Sequence, residues 1–217
     1  MPTRRPLLVL SIEIRSAWAL RAHPTESHKT FLPFFMSRYR RASKQGTTYF
    51  FTVVTYRRQP VLCNDAVRTA LRNAIEAVRI TRPFTIDAWV LMPDHLHCIW
   101  TLPEGDSDFS TRWMMIKRMV SIATRDTTFR ADWVNSSKHK HRESTLWQRR
   151  FWEHAIRDDE DFGRHVDYIH WNPVKHGLVA NAADWPYSTF HRFLNDGIYT
   201  RDWGTAESSI VNIPAGE

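Results

Sequence analysis

The spacing of hydrophobic and polar residues changes period several times along the chain, and each change predicts an element. Thr47 to Tyr56 is a dense run of β-branched and aromatic residues, which predicts a buried strand. Asn64 then offers an N-cap, and Ala66, Val67, Leu71, Ile75, Val78 and Ile80 recur at near-helical spacing until Pro83 closes the segment. Phe84 to Met92 and His95 to Leu102 read as two strands joined by Pro93-Asp94, a connection short enough for an antiparallel pair. Ser110 to Arg125 follows as a second helix, with Trp113, Ile116, Met119, Val120 and Ile122 on its apolar side and Lys117, Arg118 and Arg125 on its wetter side.

Residues 126 to 146 have no clear period and carry the basic cluster Lys138-His139-Lys140-His141-Arg142, so they read as an exposed loop. Leu146 to Arg157 can supply a fourth strand. Asp159 to Ile169 reads as a helix with acidic residues in its first turn, where they favour the helix dipole. The order β-α-β-β-α-β followed by another helix predicts the α+β class: a ferredoxin-like, split β-α-β antiparallel sheet with helices on one face, plus a C-terminal tyrosine-bearing helix. Residues 1 to 36 show no sustained period and read as an N-terminal extension, with Met36 a natural start to the domain. Residues 37 to 204 form that domain, and 205 to 217 read as a frayed tail.

Composition narrows the class without fixing it. The 217 residues suffice for one well-cored domain, and 42% hydrophobic with 24% charged residues argues against disorder. Thirty Lys and Arg against 23 Asp and Glu give a formal charge of +7, which favours polyanionic partners. Ten Trp, twelve Phe and six Tyr exceed the usual need of such a core, and aromatics among arginines suit stacking on unpaired bases. Cys63 and Cys98 have no metal-type spacing and read as reduced thiols. The apolar run from Pro6 to Ile12 is too short for a membrane span and lacks the features of a signal peptide, so a cytoplasmic protein is expected.

The chemistry centres on Met92-Pro93-Asp94-His95-Leu96-His97-Cys98. Residues i and i+2 of a strand share a face, so His95 and His97 can reach one metal ion, while Cys98 points the other way into the core. About seventy residues downstream, Tyr168-Ile169-His170-Trp171-Asn172-Pro173 offers a phenol and an amide oxygen one helical turn apart. A phenol with an ordinary pKa of about 10 is a weak nucleophile at neutral pH, and a bound cation can stabilise its charged form and polarise a phosphate.

Each residue also has a structural explanation. The histidines can simply hydrogen-bond, and Tyr168 can be a half-buried helix tyrosine. Asn172 can be an N-cap with Pro173 at the first helical position and Gly177 as the terminating glycine. Glu153 and His154 lie where only one can face the site, and structural pairing accounts for both. His165 and His170 are weaker candidates.

Three ordered segments carry a resemblance: the Met-Pro-Asp-His-Leu-His run, Trp147 to Arg157, and Val166-Asp167-Tyr168-Ile169-His170-Trp171-Asn172-Pro173-Val174-Lys175-His176-Gly177. Across about residues 37 to 203 the chain resembles the REP-associated tyrosine transposases, which belong to the single-tyrosine HUH endonucleases. The family as a rule has no counterpart of residues 1 to 35, and its stretch equivalent to 126 to 146 is shorter. The resemblance implies that His95 and His97 bind a divalent cation, magnesium or manganese, with Asn172 as a further ligand. It also implies that Tyr168 attacks DNA to give a 5′-phosphotyrosine and a free 3′-hydroxyl.

The implied substrate is single-stranded DNA bearing imperfect hairpins, bound by a monomer or a homodimer. Candidate DNA contacts are Arg38, Arg40 and Arg41 near the domain start, and Arg149 and Arg150 before the fourth strand. Two other functions remain compatible with the sequence: a nuclease whose metal activates water, and a hairpin-DNA binding protein without cleavage.

Overall fold

A computed structural model describes residues 47–205. The expectations for 1–36, for Arg38, Arg40 and Arg41, and for the tail beyond Thr205 lie outside the described residues. In chain order the elements are β1 (Thr48–Val54), α1 (Asp65–Thr81), β2 (Thr85–Leu91), β3 (His95–Thr101), α2 (Phe109–Ala123), α3 (Arg125–Thr128), α4 (Ser136–His141), β4 (Trp152–Ala155), α5 (Asp159–Lys175) and α6 (Phe190–Asn195), with short 3-10 turns between some of them.

The strands form a four-stranded sheet in the order β2-β3-β1-β4. Every neighbouring pair is antiparallel, which is the arrangement predicted for a split β-α-β unit. Strand alternation then sorts the core into two layers. Phe51 and Val53 of β1 and Leu96, Cys98 and Trp100 of β3 pack against α1 and α2, where Val67, Leu71, Val78, Trp113, Ile116 and Val120 are buried. Phe50, Ile99, Ala88 and Val90 face the other way and pack against Phe162, Val166, Tyr168 and Ile169 of α5 and Phe190 and Phe193 of α6. Each fully buried Val, Leu, Ile or Phe among them contributes about 1.5–3 kcal/mol relative to exposure, so both faces of the sheet are firmly covered.

Three expectations are corrected. The stretch 126–146 is not a plain loop: α3, a 3-10 turn at Ala131–Trp133 and α4 occupy most of it. Lys138 of its basic cluster is buried, donating to the Ser144 carbonyl at 3.0 Å and lying 3.8 Å from the centroid of the Tyr56 ring. Helices this short leave too few turns to show a period. The fourth strand is also shorter than the apolar run suggested, with Trp147 reduced to an isolated bridge to Thr55.

The third correction bears on the site. Asn172 is not an N-cap, because α5 runs through Pro173 to Lys175. Proline lacks an N–H and costs one helical hydrogen bond, but His176 N–H donates to Asn172 O and Leu178 N–H to Pro173 O, so the helix closes beyond it. Gly177 supplies the left-handed turn there, with φ +67°. At the other end Asp158 caps the helix by accepting from Asp161 N–H, and three acidic residues occupy the first turn.

Candidate active site

The face of β3 that carries His95, His97 and Ile99 is the face covered by α5. On α5, His165, Tyr168 and Asn172 recur at three and four residues and all three are buried. The Tyr168 ring meets the His97 ring edge-on with 5.3 Å between centroids. His95 and His97 lie 4.9 Å apart by the same measure, as strand neighbours on one face should. The exposed ring of His176, just beyond α5, is 5.3 Å from His95 and sets the C-terminal end of the helix at the solvent side of the cluster.

Both imidazoles are held by one nitrogen. His95 Nδ1–H donates to Asp94 Oδ1 at 2.7 Å, and His97 Nδ1 is 2.9 Å from Thr52 Oγ1, its partner across the β1–β3 ladder. Burial disfavours the charge on Asp94, but the bond from His95 and the Arg58 guanidinium 3.3 Å away outweigh it and keep this carboxyl below the usual range. A carboxylate on Nδ1 fixes the tautomer that leaves Nε2 of His95 with its lone pair, the usual state of a metal-bound histidine. His95 Nε2 and Asn172 Oδ1 are both buried acceptor atoms. Two imidazoles and an amide oxygen suit a small divalent ion, so the residues present fit one.

Around Tyr168 the neighbours are Phe50, 6.2 Å away by ring centroids, and Lys175, whose Nζ donates to Tyr168 Oη at 3.0 Å. Sequence reasoning did not single out Thr52, Asp94, Lys175 or His176. Asp94 stood beside His95 and its role was legible in principle. Thr52 depends on the strand register, and Lys175 on the helix continuing past Pro173.

A second group of donors, His154, Asp161 and His165, has ligand atoms within 4.8 Å of one another. Its atoms are already engaged in hydrogen bonds. His154 Nε2–H donates to Asp161 Oδ2 at 2.7 Å, Arg157 adds its backbone N–H and guanidinium, and His165 Nδ1–H donates to the Asp161 carbonyl at 2.7 Å. Burial opposes the Asp161 charge, yet these donors hold its carboxyl far below the usual range. Desolvation pushes His165 down to about 4, so it stays neutral. This network fastens edge strand β4 to the start of α5. His154 thus faces α5 while Glu153 is exposed, and His170, buried between Thr189 Oγ1 at 2.9 Å and Tyr199 Oη at 3.1 Å, anchors α5 to the segment around α6. Arg149 and Arg150 are exposed, with Arg149 3.3 Å from Glu143.

No helix among the described residues is long and apolar enough to cross a membrane. A family model described as IS200-like transposase matches residues 43–172. A REP-associated tyrosine transposase of Escherichia coli (strain K12) is 46% identical over 182 residues, spanning 84% of this chain and 98% of its own. A relative from Haemophilus influenzae is 43% identical over 169 residues, spanning 78% of this chain and 94% of its own. A solved structure of a REP-associated tyrosine transposase bound to a REP hairpin superposes with a TM-score of 0.64 at 46% identity, spanning 84% of this chain and 98% of that one. The family match over residues 43–172 and the relatives covered nearly in full show where the chain belongs: it is a member of the IS200-like transposase family, among the REP-associated tyrosine transposases.

Proposed function

We propose that this transposase binds hairpin DNA with a single-stranded flank and cuts it through Tyr168, using a divalent cation held by His95, His97 and Asn172. The observation that carries this reading is the packing of Tyr168 on His97, which puts a phenol beside two imidazoles whose Nδ1 atoms are already engaged. Hairpin DNA as the substrate is supported by the hairpin-bound relative. His95, His97 and Asn172 would hold a divalent cation such as magnesium or manganese, which would polarise the scissile phosphate and neutralise its charge.

In the proposed step Tyr168 Oη forms a bond to phosphorus as the bond from phosphorus to the 3′ oxygen breaks. The phenol proton passes to water, and the departing 3′ oxygen takes a proton from water. The fragment on the 3′ side of the break stays on Tyr168 through its new 5′ phosphate, and the 3′-hydroxyl of the other fragment is free to attack in a later transfer. Asp94 and Thr52 keep the imidazoles in register for this geometry, and the His154–Asp161 bond keeps α5 on the sheet. The exposed guanidinium groups of Arg149 and Arg150, together with Arg38, Arg40 and Arg41, would neutralise DNA phosphates.

The test is an SDS-resistant adduct between the protein and a labelled hairpin oligonucleotide carrying a single-stranded flank, assayed with magnesium or manganese. An adduct formed by the unaltered chain and lost in Tyr168→Phe, with hairpin binding retained, supports the reading. Cleavage without an adduct would make the protein a nuclease that uses water, and binding without cleavage would leave it a hairpin-binding protein.

A further inference from the structure

We infer that Lys175 is a catalytic residue of the tyrosine reaction: its ammonium holds the Tyr168 oxygen and balances the negative charge that this oxygen carries in strand cleavage and in strand rejoining. The inference rests on the tyrosine reading above and extends it to a residue outside the proposed metal ligands.

A lysine in the last turn of a helix ordinarily reaches into water, where it favours the negative end of the helix dipole. Lys175 does otherwise. It is the final residue of α5, two turns after Tyr168, and its side chain folds back along the helix. Its Nζ donates to Tyr168 Oη at 3.0 Å and lies 4.7 Å from the centroid of the same ring. Tyr168 is fully buried and Lys175 half buried, so water screens this pair poorly and the charge acts strongly on the phenol oxygen. The helix must pass Pro173 for Lys175 to stand there, and the bonds that close it beyond the proline are therefore part of the arrangement.

The chemistry gives this contact a use in both directions. In cleavage, phenol oxygen attacks phosphorus after its own proton has gone to water, and an ammonium donor stabilises the oxygen before the new bond takes up its charge. In rejoining, a 3′-hydroxyl oxygen bonds to phosphorus and loses its proton to water, while the bond from phosphorus to Tyr168 Oη breaks with its electron pair passing to Oη. The Lys175 donor already points at that atom. A fixed donor aimed at an oxygen that gains charge needs no reorganisation at the moment of reaction, and removing one such donor costs about 100- to 1000-fold in rate in well-studied sites.

The experiment measures single-turnover adduct formation and strand rejoining by the full chain with manganese and a labelled flanked hairpin, alongside hairpin affinity and thermal unfolding. Lys175→Met and Lys175→Gln should each slow both steps by about 100-fold with hairpin affinity within about threefold of the original, and Lys175→Arg should recover about tenfold or more of the loss. Gln keeps a donor without the charge, so it separates charge from orientation. A fluorinated, more acidic tyrosine at position 168 should partly rescue Lys175→Met, which a purely structural lysine would not allow. Rates equal to the original in Lys175→Met or Lys175→Gln would overturn the inference, as would a loss that hairpin binding shares in full. If Lys175→Met unfolds, the Gln and Arg pair decides the matter. An unaltered chain that forms no adduct would remove the tyrosine reading itself, a result distinct from a variant that matches it.

Discussion

The rings of His97 on β3 and Tyr168 on α5 meet edge-on at 5.3 Å, across the interface between the sheet and the helix that covers it. That contact brings two segments about seventy residues apart together, with the imidazoles of the proposed metal site on the strand and the proposed nucleophile on the helix.

Removing either imidazole should therefore abolish metal-dependent cleavage without abolishing hairpin binding. His95→Ala and His97→Ala are expected to form no adduct over a manganese titration, while shifting hairpin electrophoretically as the unaltered protein does. His97→Ala also removes the partner of Thr52 and the ring stacked on Phe50 at 5.5 Å, and should cost stability by roughly 1–3 kcal/mol. Adduct formation by His95→Ala at the original rate and manganese dependence would remove it from the metal site.

Asp94 should act through His95 alone. Asp94→Asn keeps the size of the side chain but removes the carboxylate that fixes Nδ1–H, and metal affinity should fall by about 10- to 100-fold. Isothermal titration with manganese reads this directly, and saturating metal should restore most of the cleavage. Unchanged affinity would mean that the His95 tautomer is set by something other than this bond.

The clamp between β4 and α5 predicts how stability depends on pH. His165 is held neutral in the folded protein, with its pKa pushed down to about 4 by burial, against the ordinary 6.5 in the unfolded chain. The unfolded chain thus binds the extra proton first as pH falls, so stability is full above about 6.5 and declines towards 4, by about 2 kcal/mol at pH 5 from this group. Asp161 adds a loss of its own at lower pH, because its depressed carboxyl stabilises the fold only while ionised. Urea unfolding at pH 7.5 and pH 5 measures the difference. His165→Gln should flatten the decline over that range, and an equally steep decline in the variant would assign it to other groups.

Much of the fold was legible because its signals are local. The β-branched run around Phe50 and the spacing of Val67, Leu71, Ile75 and Val78 each specify an element without help from the rest of the chain. His95 and His97 could be placed on one face from strand alternation, and Tyr168 and Asn172 on one stripe from helical spacing. What failed was the reading of Asn172 as an alternative helix start. Pro173 is a local signal for a helix boundary, but the buried contacts of Val174 and the bonds beyond it outweigh the lost N–H. Thr52 and Lys175 were out of reach for a related reason. Thr52 meets His97 only through the register of β1 on β3, and Lys175 meets Tyr168 only because the helix persists. The short helices of 126–146 escaped because a turn or two cannot display a period.

The central claim is that Tyr168 itself takes the 5′ phosphate of the broken strand. It is tested by cutting one flanked hairpin labelled on either side of the break and mapping the peptide that carries DNA. The account predicts that the label on the 3′ side of the break stays with the protein on the peptide containing Tyr168, while the fragment on the 5′ side is released with a 3′-hydroxyl that a polymerase extends. Release of both labelled fragments, attachment of the opposite side, or an adduct on any other residue would contradict it.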